Sequence, residues 1–371
     1  MSDGPGRRGR KWIWLAVPVV ALVSGAGLFW SVYAEYDPAP ACVPLPPAAA
    51  DAGAGLTAAA ANGDRRPVFE SPVTAGPLVA AAYLTDDRPN STGYVLAPDR
   101  RGYRLPDAGP VSDVVAAPDG SRVAVLPDVA IAPTDHPGGP VPGRRIGLYD
   151  VGAGRLTWTT LPDHALTAAF STDSTRLAVS VGAPRVPDPG PVRLVVVDLV
   201  SGRQRIVEPA VDGTRVAGPL DAINWAPDGQ VLLSADGRTS SHTLDAPDGR
   251  VVAPASLAPY GIAPNGRRGV TPDGSLVDLG TGAVTMPAAF APCQDHGIDR
   301  AFTPAGWYDD NRLLAVQWDV EWPVDQRPGQ PKRAAAGSRL IVTDLDGRVS
   351  RVVVGWNAEL PRMMFARPPA R

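Results

Sequence analysis

Beyond residue 77 short apolar runs alternate with polar turns, and two such patterns recur along the chain. In the first, an apolar strand runs into a Pro-Asp-Gly-like turn and a second apolar strand follows. Val114-Val115-Ala116-Ala117-Pro118-Asp119-Gly120 precedes Val123-Ala124-Val125, and Trp225-Ala226-Pro227-Asp228-Gly229 precedes Val231-Leu232-Leu233. Phe170-Ser171-Thr172-Asp173-Ser174, Ile262-Ala263-Pro264-Asn265-Gly266 and Trp307-Tyr308-Asp309-Asp310-Asn311 are further copies, with turn positions 119, 173, 228, 265 and 310. In the second pattern a strand ends in Asp and Gly follows three or four residues on, which is hairpin turn chemistry. Copies are Asp99 with Gly102, Asp150 with Gly154, Asp198 with Gly202, Asp245 with Gly249, Asp278 with Gly282, and Asp344 with Gly347. The second pattern advances by about 49 residues per copy, a period that marks a propeller or a solenoid.

Because the two patterns alternate, each repeat is expected to be a four-stranded antiparallel sheet. Such a sheet cannot bury both faces alone, so successive sheets must stack, and closing them into a ring leaves only short, protected edges. The expectation is an all-β fold, a six-bladed β-propeller over residues 68–371, with seven blades as the alternative count. The first repeat lacks a clear Pro-Asp-Gly turn and residues 355–371 follow the last hairpin. An end strand is therefore expected to complete a blade supplied by the other terminus.

The N-terminal pattern differs. Residues 12–33 are 22 positions without a charge, long enough for one helix to cross a bilayer. Arg7, Arg8, Arg10 and Lys11 precede this run while Glu35 and Asp37 follow it, so the positive-inside rule puts residues 1–11 in the cytoplasm and the rest outside. Trp12, Trp14, Trp30 and Tyr33 sit at its ends, as interface-anchoring aromatics do. The Ala- and Pro-rich stretch 34–67 has few large apolar side chains and is expected to be a stalk. The rival reading is a cleaved signal peptide, since Val32 and Ala34 suit a cut after Ala34, which would release a secreted protein. The length of the run, beyond the roughly 7–15 residues of a signal core, favours the single-pass anchor.

Composition narrows the function. Pro 42 and Gly 39 fit a turn-rich chain, and a formal charge of −3 provides no basic surface for nucleic acid. Four His, two Cys and two Lys leave little for a catalytic metal cluster, a zinc module or a phosphate-binding loop. No cofactor or metal is expected. Gly-x-Ser-x-Gly, His-Glu-x-x-His and Cys-x-x-Cys are all absent from the sequence. Asp344-Leu345-Asp346-Gly347 looks like the start of a calcium loop, but no Glu follows at the twelfth position. The turn aspartates have a structural role, because Asp hydrogen-bonds its own backbone. Arg outnumbers Lys 33 to 2, which points to a GC-rich bacterial source.

The turn pattern resembles the propeller domain of the TolB family and its relatives with degenerate tryptophan-aspartate-type repeats, over roughly residues 77–354. The resemblance implies a binding scaffold, whose expected partner is a protein or cell-envelope ligand. TolB proteins also carry an α/β domain before the propeller, for which residues 38–67 have neither length nor hydrophobicity, and they are soluble in the periplasm rather than anchored. The alternative is an extracytoplasmic propeller enzyme, a hydrolase, lyase or lactonase-like protein with a carboxylate or metal site at the central channel.

Three long insertions, 127–145, 182–192 and 317–338, each fall between the second and third strand of a repeat, so all three should crowd one face. Insertions confined to one face of a repeat array often mark its binding surface. The third holds Trp318, Asp319, Glu321 and Trp322, two aromatics and two carboxylates expected to form one ligand-contact patch. The competing reading is that Gln317 to Val320 extends the second strand. Asp135 with His136, and Asp295 with His296, could reach the same face. Cys42 and Cys293 are the only cysteines and lie on the oxidising side, so they are a disulfide candidate, with two free thiols the alternative. Such a bridge would close a long loop, worth about 4 to 5 kcal/mol by chain entropy, provided the Cα atoms approach within about 7 Å.

Overall fold

In a computed structural model of the chain, the apolar run after each Pro-Asp-Gly turn becomes a strand buried on both faces. Arg122–Pro127, Arg176–Gly182 and Val231–Ala235 are buried along nearly their whole length, which is why they read as continuous apolar runs rather than alternating ones. The last strands of two repeats meet water instead. Arg155–Thr160 alternates exposed and half-buried positions, and Gln204–Val207 buries only Val207.

The structure describes residues 56–58, 67–69, 74–75, 78–85, 91–96, 102–104, 110–128, 144–182, 190–246, 248–287, 290, 293–295, 298–321, 337–347, 349–356 and 362–366. The chain divides into Met1–Ala41 and Cys42–Arg371. The first unit, with the expected tail and membrane helix, lies outside the described residues. Leu56–Ala58, in the expected stalk, pairs antiparallel with Pro67–Phe69 at the stalk's end.

Every other described strand belongs to one of six sheets met in chain order. The first is made of Leu78–Thr85, Thr92–Leu96 and Gly102–Arg104, extended by Arg362–Ala366 from the far end of the chain and by the short Thr74–Ala75. The expected end strand is thus present: Met363 pairs with Tyr83 and Met364 with Ala82. Val111–Ala116 to Arg155–Thr160 form the second sheet, and His164–Phe170 to Gln204–Val207 the third. Each is a four-stranded antiparallel meander. The fourth, Ala222–Trp225 to Asp248–Ala253, is widened by the hairpin Ala210–Val211 with Thr214–Arg215, which adds in parallel to the last strand. In the fifth, Arg268–Val270, Leu276–Asp278 and Val284–Thr285 pair, and Ile262 bridges to Gly269 where a first strand would stand. The sixth runs from Cys293–Asp295 to Val349–Trp356.

Among the described residues six hydrophobic clusters lie between consecutive sheets, and the last of them returns to the first sheet. Val114 and Val123 meet Ala82 and Met364, Leu126 meets Val179, Val196 meets Leu233, Leu232 meets Val277, and Val270 meets Leu313. The last cluster joins Leu314 and Leu340 of the sixth sheet to Ala80 and Met363 of the first. Each sheet therefore buries both faces against its neighbours, which is the packing of a β-propeller.

The turns behave as their chemistry requires. Oδ1 of Asp119, Asp228 and Asn265 accepts the N–H two residues on, at 2.9, 3.0 and 2.9 Å. In the last copy that role falls to Asp309, at 2.9 Å from the Asn311 N–H, one residue earlier than the repeat spacing predicts. Gly154, Gly202, Gly282 and Gly347 all take positive φ at their hairpins, as the second pattern requires. Gly249 departs from that pattern. It lies inside the strand Asp248–Ala253, and a Cβ there would run into the Ser241 carbonyl oxygen, so close approach of two strands, not turn geometry, demands glycine.

Hydrogen bonds from Ser201 hold the Asp198 carboxyl below the usual carboxylate range, and bonds from Thr281 do the same for Asp278. A carboxyl with a lowered folded pKa stabilises the fold above its unfolded value of about 4, and that contribution is lost as pH falls through the lower folded value. The melting temperature should be insensitive to these two groups between pH 5 and 8 and fall below about pH 4. The double variant Asp198→Asn/Asp278→Asn should show a shallower acid slope in a pH series of thermal melts. An unchanged slope would remove these turns from the acid response.

Candidate functional site

Each sheet of the ring turns one equivalent residue toward the axis at the end of its innermost strand. In the first pattern this is the residue two before the Pro or its counterpart: Ala116, Phe170, Trp225, Ile262 and Trp307. Phe365 holds the matching place on the end strand of the first sheet. All six line one cavity of about 440 Å³, within the range of roughly 300–1,000 Å³ usual for ligand pockets. Its rim is made by the turns themselves, including Pro118, Thr172, Pro227 and Pro264. The cavity therefore opens on the face that carries the first-to-second strand turns.

Two of the aromatic residues are fixed by the sheet before them. The Trp225 indole N–H donates to the Ala169 carbonyl at 3.0 Å, and the Trp307 indole N–H donates to the Gly261 carbonyl at 3.0 Å. Both side chains are nearly fully buried, so each bond saves a polar atom that would otherwise be stranded. Tyr260 supplies a further part of the wall. It precedes the fifth sheet, yet its ring packs against the clusters on both sides of the second, so it reaches across the axis. Its φ of 56° lies in the left-handed region, an uncommon place for a non-glycine residue and one that often marks a functional site.

The charged residues on the described wall are Asp119 and Asp173. Oδ1 of Asp119 accepts from the Ser121 N–H at 2.9 Å and its hydroxyl at 2.8 Å. Oδ1 of Asp173 accepts from the Ser171 hydroxyl at 2.5 Å, the Thr175 N–H at 3.1 Å and the Thr175 hydroxyl at 2.8 Å. Burial pushes the Asp173 carboxyl up, but the bonds from Ser171 and Thr175 and the charge of Arg176 outweigh it and hold it below the usual range. The two turns are tied together by the Asp119 N–H, which donates to the Ser174 hydroxyl at 3.1 Å. Among the described residues no three His, Cys, Asp or Glu side chains gather as a metal site.

The residues singled out by the sequence fall elsewhere. Trp318, Asp319 and Glu321 are strand positions, because Arg312–Glu321 continues in register with a long first strand: Ala301 opposes Trp318, Arg300 opposes Asp319 and Ile298 opposes Glu321. The third insertion thus begins after Glu321 and ends before Gly337, shorter at its start than the expected 317–338. The register brings Asp295 to the same end of this sheet, opposite Ile298, and Cys293 opposite Arg300. Asp135, His136, His296, Trp322 and Cys42 lie outside the described residues.

The cavity residues were missed by searching the sequence for catalytic motifs and long loops. Their signal is in the repeat: one column of the first pattern holds Ala, Phe, Trp, Ile and Trp, and a ring stacks that column around its axis. For Tyr260 there was no such signal, since it stands between repeats.

No family model and no curated protein sequence matches this chain. Solved structures do resemble it. They include TolB from Acinetobacter baumannii, at 14% identity and a TM-score of 0.46, the match covering 78% of this chain and 66% of that one. A TolB candidate from Agrobacterium tumefaciens matches at 13% identity and a TM-score of 0.42, over 76% of this chain and 91% of that one. A protein of unknown function from Bacteroides caccae matches at 13% identity and a TM-score of 0.45, over 78% of this chain and 100% of that one. This chain thus spans just under two thirds of the Acinetobacter protein, and TolB proteins are among the solved structures that its fold is similar to.

Proposed function

We propose that the chain is a membrane-anchored, extracytoplasmic binding module, a TolB-like propeller of six blades held by residues 12–33 and presenting its central cavity to a protein or cell-envelope ligand. One observation carries the reading: a single cavity is built from the equivalent inner-strand position of all six sheets. Convergent, largely apolar walls with a few polar groups are the ordinary form of a ligand site. The count of six is supported by the six clusters between successive sheets. The insertions and the Trp318 to Glu321 strand end would add a second contact surface, with Asp135, His136, Asp295 and His296, on the opposite face.

A photo-crosslinking amino acid at position 172, on the cavity rim, tests this in intact cells against the same group at position 206 on the outer strand of the third sheet. Crosslinking of one discrete species from 172 and not from 206 is expected. Equal labelling from both positions, or labelling from position 318 alone, would overturn the cavity as the binding surface.

A further inference from the structure

Resting on that reading, we infer that the cavity selects a protein partner by a cationic side chain, a guanidinium or ammonium carried on an exposed peptide segment and received between Asp119, Asp173 and the aromatic wall.

The wall carries two carboxylates and no basic side chain among the described residues. Each carboxylate spends only Oδ1 on its own turn, and neither Oδ2 takes a hydrogen bond from a described residue. The equivalent aspartate of the fourth sheet is different: Asp228 uses Oδ1 on the Gln230 N–H and Oδ2 on the Gln230 side chain, and it is not on the wall. Each of these two lining turns therefore leaves one carboxylate oxygen uncommitted to the turn. Phe170, Trp225, Tyr260, Trp307 and Phe365 line the same cavity, and aromatic faces attract cations through their quadrupole. Carboxylate oxygens beside aromatic rings are the complement of a cation on an apolar stem, and they oppose an anion or a neutral acceptor. The fold already makes one such contact here, with the Arg176 guanidinium 5.9 Å from the centroid of the Trp225 ring. Arg176 is not itself on the wall, and its charge helps to keep the Asp173 carboxyl ionised. A peptide is the occupant because the opening is ringed by turns from several sheets. A chain segment can lie across such a rim while one side chain enters.

The test uses the full-length protein in detergent and two blocked dipeptide amides, acetyl-Phe-Arg-amide and its neutral near-isostere acetyl-Phe-citrulline-amide, measured by calorimetry at low salt. The arginine probe should bind at least tenfold more tightly than the citrulline probe, and the preference should shrink as salt is raised. In Asp119→Asn/Asp173→Asn, where each amide oxygen can still close its turn, the two probes should bind within about twofold of each other. The comparison of probes and salts on the unaltered protein stands even where that variant fails to fold. Equal affinity for the two probes would overturn the charge preference and leave the cavity as a binding site. Binding of neither probe at millimolar concentration would overturn both.

Discussion

Deleting residues 362–371 should abolish the cooperative melt of the propeller. Arg362–Ala366 is the innermost strand of the first sheet, in register with Leu78–Thr85 from Arg362 opposite Leu84 to Ala366 opposite Val79. Met363 packs into the cluster shared with the sixth sheet, and Met364 and Ala366 into the cluster shared with the second. Losing these side chains removes about 1.5–3 kcal/mol for each large apolar group, and the bared edge of Leu78–Thr85 loses its hydrogen-bonding partner. The total approaches the whole stability of an ordinary domain, roughly 5–15 kcal/mol. Circular dichroism melts and limited proteolysis would detect the change. Addition of the missing segment as a peptide should restore part of the transition. A melt within a few degrees of the intact chain would show that the ring closes by other means.

Trp225→Ala should be the most costly single change at the cavity. The indole is nearly fully buried between the third and fourth sheets, in a cluster with Val196 and Leu233. Truncating a buried Trp costs about 3–5 kcal/mol, a loss that includes the bond from the indole N–H to the Ala169 carbonyl. Trp225→Phe weighs the two parts against each other, since it keeps one aromatic ring and loses the pyrrole half of the indole with its N–H. Its expected cost is about 1–2 kcal/mol by denaturant melts, and it should bind ligand more nearly like the unaltered chain than Trp225→Ala does. Comparable losses in both variants would assign the stability to the pyrrole half and its hydrogen bond instead of the remaining ring.

The repeat was legible because its chemistry is local. An Asp whose Oδ1 closes a turn two residues on, followed by a residue able to take positive φ, identifies the turn without knowledge of its surroundings, as at Asp119-Gly120 and Asp228-Gly229. Asp245 with Gly249 shows the limit. The same letters mark a hairpin there, but the glycine serves a strand contact that no local rule reveals. The extent of the third insertion was misjudged for a related reason. Gln317 to Glu321 is polar enough to look like loop, yet it pairs with Phe302 to Ile298 because the partner strand is twelve residues long.

By itself the sequence determined the presence and order of the repeats, most of the turn residues that separate their strands, and the uncharged run at the N-terminus, since each depends on residues close together in the chain. The tertiary structure alone decided which residues meet at the axis. Ring closure by Arg362–Ala366 joins segments nearly three hundred residues apart, and Phe365, Trp225 and Tyr260 line one cavity although no sequence spacing relates them. Closure places one position of every repeat at a common centre, and that convergence arises only when the interfaces between all the sheets are satisfied together.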